Sequence, residues 1–215
     1  MIRFTHLFAA TLILCFSFNA QAKTSYIEGK DYLLIADTPG IPSFPKNSVT
    51  VSEFFSYGCP WCYELEPQLK EWQKPSYVVF DRVPVIFEKN WDNYAKAYYV
   101  AQALDIEKKI TPSLFKAIQE QNRTFENNQA MEAFFISMGV DPNVAENAFS
   151  ASPTLDAEIK QGTHLMRTYQ VYVVPTVVID GKYKTDLRMA MSEKKFINIL
   201  QFLVAKRATE KNIPH

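Results

Sequence analysis

Runs of β-branched and aromatic residues alternate along this chain with stretches of helical periodicity, and their order sets the expected architecture. Tyr32–Ile35 reads as a short first strand, and Pro39, Gly40, Pro42 and Pro45 break the chain after it. Val49–Phe55 (VTVSEFF) has strand composition and period-2 alternation. Ser56-Tyr57-Gly58 then turns the chain. Leu65, Leu69 and Trp72 follow at helical spacing, which predicts a helix from Cys59 to about Lys74, with Pro60 in its first turn and Pro67 inside it. Tyr77–Val83 is the next strand, closed by Pro84. From Asn90 to about Tyr169 the β-branched runs disappear, and helices are predicted at Asp92–Leu104, Pro112–Gln121, Asn128–Met138, Pro142–Phe149 and Ser152–Tyr169. Val171–Ile179 returns to strand composition. Asp180-Gly181 is a hairpin signal that pairs Lys182–Thr185 back antiparallel. Ser192 to about Thr209 closes the chain as an amphipathic helix, with Phe196, Ile199, Leu200 and Leu203 on one face.

The order is therefore strand, helix, strand, a block of helices, two strands and a helix. It predicts an α/β fold in which residues 23–89 and 170–215 form one mixed core and residues 90–169 an inserted all-helical subdomain. The first 22 residues stand apart. Arg3 precedes a mostly apolar stretch, Phe4 to Phe18, and Ala20-Gln21-Ala22 offers small residues to a signal peptidase, so a signal peptide cleaved after Ala22 is expected. A membrane anchor is the alternative, but the apolar run is shorter than the roughly 20 residues a spanning helix needs. A lipoprotein signal at Cys15 is disfavoured by the bulky Leu14 before it.

Charge excludes little chemistry but some partners. With 23 Lys+Arg against 23 Asp+Glu, the chain offers no electrostatic footprint for nucleic acid. Cysteine usage says more. Cys15 leaves with the signal, so Cys59 and Cys62 remain, two residues apart, in an oxidising compartment. So short a loop removes little unfolded-state entropy when closed, which makes the pair a poor structural staple. A zinc site would need two further ligands, and the histidines outside the signal are His164 and His215. A Cys-x-x-Cys at a strand-to-helix turn instead suits dithiol–disulfide interconversion. Unpaired amides and the positive dipole end favour a thiolate at Cys59, and Cys62, one turn in, resolves the mixed disulfide.

Three further positions point to the same chemistry. Val174-Pro175-Thr176 puts a proline beside a strand, where a cis Val174–Pro175 bond would leave nearby backbone groups free for an extended substrate. Period-2 alternation places Glu53 with Val49, Val51 and Phe55. A carboxyl on that apolar face has a raised pKa and can hold or relay a proton for Cys62, unless the strand is an edge and Glu53 reaches solvent. Trp61 between the cysteines is either exposed as an apolar contact for unfolded chains or packed onto the helical insertion.

Taken together, Glu53-Phe54-Phe55-Ser56-Tyr57-Gly58-Cys59-Pro60-Trp61-Cys62, Val173-Val174-Pro175-Thr176 and Asp180-Gly181-Lys182-Tyr183 resemble the DsbA family of bacterial periplasmic disulfide oxidoreductases, in the thioredoxin superfamily. The resemblance covers essentially the whole chain after the signal. It implies a thioredoxin-like core with the helical insertion, catalytic Cys59 and Cys62 alternating between dithiol and redox-active disulfide, and no cofactor. It also implies redox tuning by Pro60, Trp61 and Glu53, and substrate binding at Val174, Pro175 and Trp61. The implied partners are reduced, unfolded exported proteins and a DsbB-like quinone-linked oxidase of the inner membrane, with the protein acting as a periplasmic monomer. One departure stands out: the best-known members carry His where this chain has Trp61, so a less acidic Cys59 and a less oxidising pair are expected. A disulfide isomerase or reductase is the alternative enzyme. A periplasmic chaperone-like binding module, with incidental cysteines, is the alternative outside catalysis.

Overall fold

The computed structural model describes residues 25–36, 39–150 and 152–214. The expected signal segment, Met1–Ala22, lies outside them. Five strands form one sheet in the order β1-β5-β4-β2-β3. The strands are β1 (Leu33–Leu34), β2 (Val49–Phe55), β3 (Val78–Pro84), β4 (Thr176–Ile179) and β5 (Tyr183–Asp186). β2 and β3 are parallel, joined by the crossover helix α1 (Pro60–Glu71); the other pairings are antiparallel. Between β3 and β4 come five helices: α2 (Trp91–Ala103), α3 (Glu107–Gln119), α4 (Asn128–Ser137), α5 (Pro142–Phe149) and α6 (Pro153–Thr168). A short helix α7 (Leu187–Ala190) and the long α8 (Glu193–Glu210) finish the chain. This is the α/β fold with a helical insertion that the hydrophobic pattern predicts. No helix among the described residues is long and apolar enough to cross a membrane.

Alternation along the central strands divides the core in two. Val49, Val51, Val177 and Ile179 face α1 and α8, meeting Leu65, Leu69, Phe196, Ile199, Leu200 and Leu203. Phe54 and Val178 turn to the other core, where Tyr94, Tyr98, Ile110, Leu114, Phe115, Phe134 and Phe135 pack from the insertion. Each fully buried large apolar side chain contributes roughly 1.5–3 kcal/mol. Most helix starts are fixed locally: Asn127, Asp141, Ser152, Asp186 and Ser192 each cap a helix by accepting a backbone N–H, worth about 1 kcal/mol apiece.

Three elements differ from the expectation. Pro112 does not open its helix; α3 begins at Glu107 and Pro112 lies inside it. The proline is exposed and removes a single bond, to the Lys108 carbonyl, while Ile110, Leu114 and Phe115 are buried along the same helix, so packing outweighs the local break. β4 is limited to Thr176–Ile179, and the β-branched residues before it form a loop. α7 carries no hydrophobic period and was not expected.

Candidate active site

Cys59 sits at the N-cap of α1, with Pro60 at the first helical position. Its Sγ accepts the Cys62 N–H at 3.3 Å and lies 3.5 Å from the Val174 carbonyl, to which the thiol donates. Val174–Pro175 is a cis peptide bond. The two sulfurs differ sharply in surroundings. Hydrogen bonding by the Cys62 side chain, and by the Cys62 and Trp61 amides, holds the Cys59 thiol below its ordinary value against the cost of burial. Complete burial, followed by hydrogen bonding with Cys59, pushes the Cys62 thiol well up. Trp61 is 56% exposed, the first of the two placements its position allowed, and Tyr172, 76% exposed, stands on the loop that carries Val174.

Glu53 lies on a central strand, not an edge, and is fully buried. Burial pushes its carboxyl up to about 7, against the opposing charge of Arg82. Arg82 is its register partner on β3, with Nε 2.7 Å from Glu53 Oε2. That contact is an ion pair out of line for a hydrogen bond, so neither Glu53 oxygen nor Arg82 Nε has an aligned partner. Arg82 also bonds Glu66 of α1, whose side chain is a quarter exposed, and its guanidinium lies 4.9 Å from the Phe55 ring centroid. The structure thus joins Glu53, Cys59, Cys62, Trp61, Val174 and Pro175 in one neighbourhood, and adds Arg82 and Glu66, which sequence reasoning missed.

The turn before Cys59 is tightly enclosed. A Cβ on Gly58 would lie 2.3 Å from Trp91 Nε1, at the first residue of α2. Cys59 N–H bonds the Ser56 carbonyl at 3.0 Å, and Tyr57 is buried against α3.

Comparison with known proteins agrees with this geometry. The thioredoxin family matches residues 44–198. The thiol:disulfide interchange protein DsbA of Burkholderia cepacia is 37% identical, over 86% of this chain and 87% of its own. This chain belongs to the DsbA family. The DsbA of Pseudomonas syringae pv. tomato is 32% identical over 89% of each chain. The crystal structure of Pseudomonas aeruginosa DsbA superposes with a TM-score of 0.80 at 28% identity, covering 86% of this chain and 97% of that one. As a DsbA-type protein, the chain is a disulfide-forming thiol:disulfide oxidoreductase with the thioredoxin-like fold.

Proposed function

We propose that Cys59 is the sulfur that exchanges with substrate and Cys62 the one that resolves, and that this DsbA-type enzyme oxidises exported proteins as they fold in the periplasm. One observation carries the assignment: the same helix start that stabilises a thiolate on Cys59 buries Cys62 completely. A substrate thiolate attacks Cys59 Sγ, the Cys59–Cys62 bond breaks, and the Cys62 sulfur leaves and takes up a proton. A second substrate thiolate then attacks the substrate sulfur of the mixed disulfide, and Cys59 leaves as thiolate. Two electrons pass from substrate to the pair. A low thiol pKa makes Cys59 a good leaving group in this last step.

Glu53, with a carboxyl that changes protonation near neutral pH, supplies or receives the Cys62 proton. Val174 and Pro175 take an extended substrate segment, Trp61 offers it an apolar face, and Pro60 fixes the helix start between the sulfurs. A DsbB-like quinone-linked oxidase of the inner membrane regenerates the disulfide. Export by the segment ending at Ala22, action as a monomer, and division into residues 23–89 with 170–215 and an insertion of 90–169 belong to the same reading.

The test is equilibration of the chain from Lys23 onward with glutathione. A potential well above roughly −180 to −210 mV is expected, whereas one near roughly −270 mV would mark a reductant and end the oxidase assignment. Cys59→Ser abolishes oxidation of a reduced peptide; a binding module would keep its function. Faster rescue of a scrambled substrate than oxidation of a reduced one would mark an isomerase.

A further inference from the structure

The peptide between Tyr57 and Gly58 lies one residue before the peptide that enters Cys59, and both of its hydrogen bonds go to side chains. Gln119 Nε2 donates to the Tyr57 carbonyl at 2.7 Å, and the Gly58 N–H donates to Ser56 Oγ at 3.1 Å. Gln119 comes from the last turn of α3, well outside the redox motif. It is one of three residues at four-residue spacing on that helix that grip Tyr57. Thr111 Oγ1 bonds the Tyr57 hydroxyl at 2.8 Å, Phe115 packs edge-on against its ring at 4.9 Å, and Gln119 takes its carbonyl. Thr111 and Phe115 hold the side chain. Gln119 alone of the three holds the backbone that enters the redox pair.

We propose that Gln119 is a positioning residue for the disulfide exchange: it orients the Tyr57–Gly58 peptide and thereby fixes where Cys59 Sγ stands at the start of α1. The inference rests on the reading of Cys59 as the exchanging sulfur. The Cys59 thiolate is favoured by the Cys62 side chain and by the Cys62 and Trp61 amides, and all of these contacts depend on the backbone angle at which the chain leaves Gly58. With the Tyr57 carbonyl unpaired, the peptide is free to rotate toward another donor, and the sulfur follows it. The helical insertion in this way sets the chemistry of a motif it does not contain.

The experiment compares the glutathione equilibrium constant of the parent with those of Gln119→Leu, Ser56→Ala and Thr111→Val, each also unfolded in urea. Gln119→Leu is expected to make the pair less oxidising by about threefold or more, through the lost hydrogen bond to a buried carbonyl. Ser56→Ala, which frees the other end of the same peptide, shifts it in the same direction and adds less once Gln119 is gone. Thr111→Val loosens the grip on the Tyr57 side chain and costs stability without moving the constant. The proposal is overturned if Gln119→Leu and Ser56→Ala leave the constant at the parent value, or if Thr111→Val moves it as far as Gln119→Leu does. Should Gln119→Leu fail to fold, Ser56→Ala decides alone. The potential of the parent tests the oxidase assignment separately, since each variant is judged by its ratio to the parent.

Discussion

Two acids whose side chains are wholly shielded from solvent lie at different places around β2, and they are solvated in opposite ways. Asp180, in the hairpin turn after β4, is surrounded by donors. Its Oδ1 accepts the Thr50 N–H at 2.8 Å, and its Oδ2 takes Arg207 Nε at 3.0 Å and Lys211 Nζ at 2.5 Å. Glu53, three residues along the strand from Thr50, has Arg82 beside it and no aligned hydrogen bond. A carboxylate with donors on both oxygens ties together the hairpin, β2 and α8. One left short of donors is poised to gain and lose a proton, which suits a group beside a buried thiol. Burial therefore says little about an acid until the supply of donors around it is known.

Substitutions can break this contrast from either side. The largest effect is expected from Asp180→Ala, which takes the side-chain acceptor from the Thr50 amide and the shared carboxylate from Arg207 and Lys211, leaving these to Glu210 and the Ser48 carbonyl. Urea unfolding is expected to show a loss of about 3–5 kcal/mol, with the glutathione equilibrium unmoved. Glu53→Gln acts in the other direction. The folded chain keeps the Glu53 proton up to about pH 7, whereas the unfolded chain releases it near the ordinary 4.5. The stability that this proton confers is complete below pH 4.5 and is lost as pH rises through 7, on the order of 3 kcal/mol in all. Glu53→Gln flattens that slope in urea midpoints taken between pH 4 and 8, and becomes the more stable protein at pH 8. A parent profile that is already flat would show that Glu53 exchanges no proton in this range and would end the contrast.

Arg82→Met sharpens the contrast by removing the charge that opposes burial. The upper break of the same stability profile is expected to move up by about one pH unit. The smallest effect comes from above the pair. Trp61→His brings a potential cation next to Cys59 at a solvent-exposed position and is expected to make the pair more oxidising by about threefold in the glutathione equilibrium. An unchanged constant would show that the residue between the cysteines does not set the potential here.

Glu53 could be read from the sequence because alternation within one strand places it, and Cys59 because a motif, a turn and a helix start coincide there. Arg82 could not. In YVVFDRV an arginine reads as solvent-facing, and its pairing with Glu53 depends on the register of two parallel strands separated by a helix, which no local pattern encodes. Asp180 was legible as a turn residue and no more, since Arg207 and Lys211 reach it only through the packing of α8. The segment 171–175 was read as strand because Val, Tyr and Val favour one, yet it serves as the loop that brings the Val174 carbonyl to Cys59. There, position at the site overrides propensity. Gln119 was hidden because its partner is a main-chain carbonyl, which leaves no trace in residue identity.

The contact between Gly58 and Trp91 has a consequence for how this protein can vary. No side chain larger than hydrogen fits at position 58 while the indole is in place, although nothing at that position reacts. In a selection for active variants, position 58 would therefore tolerate glycine alone in this background, and would open to alanine only in lineages that had first replaced Trp91 with something smaller. Two separate sites in the gene are bound to change in a fixed order.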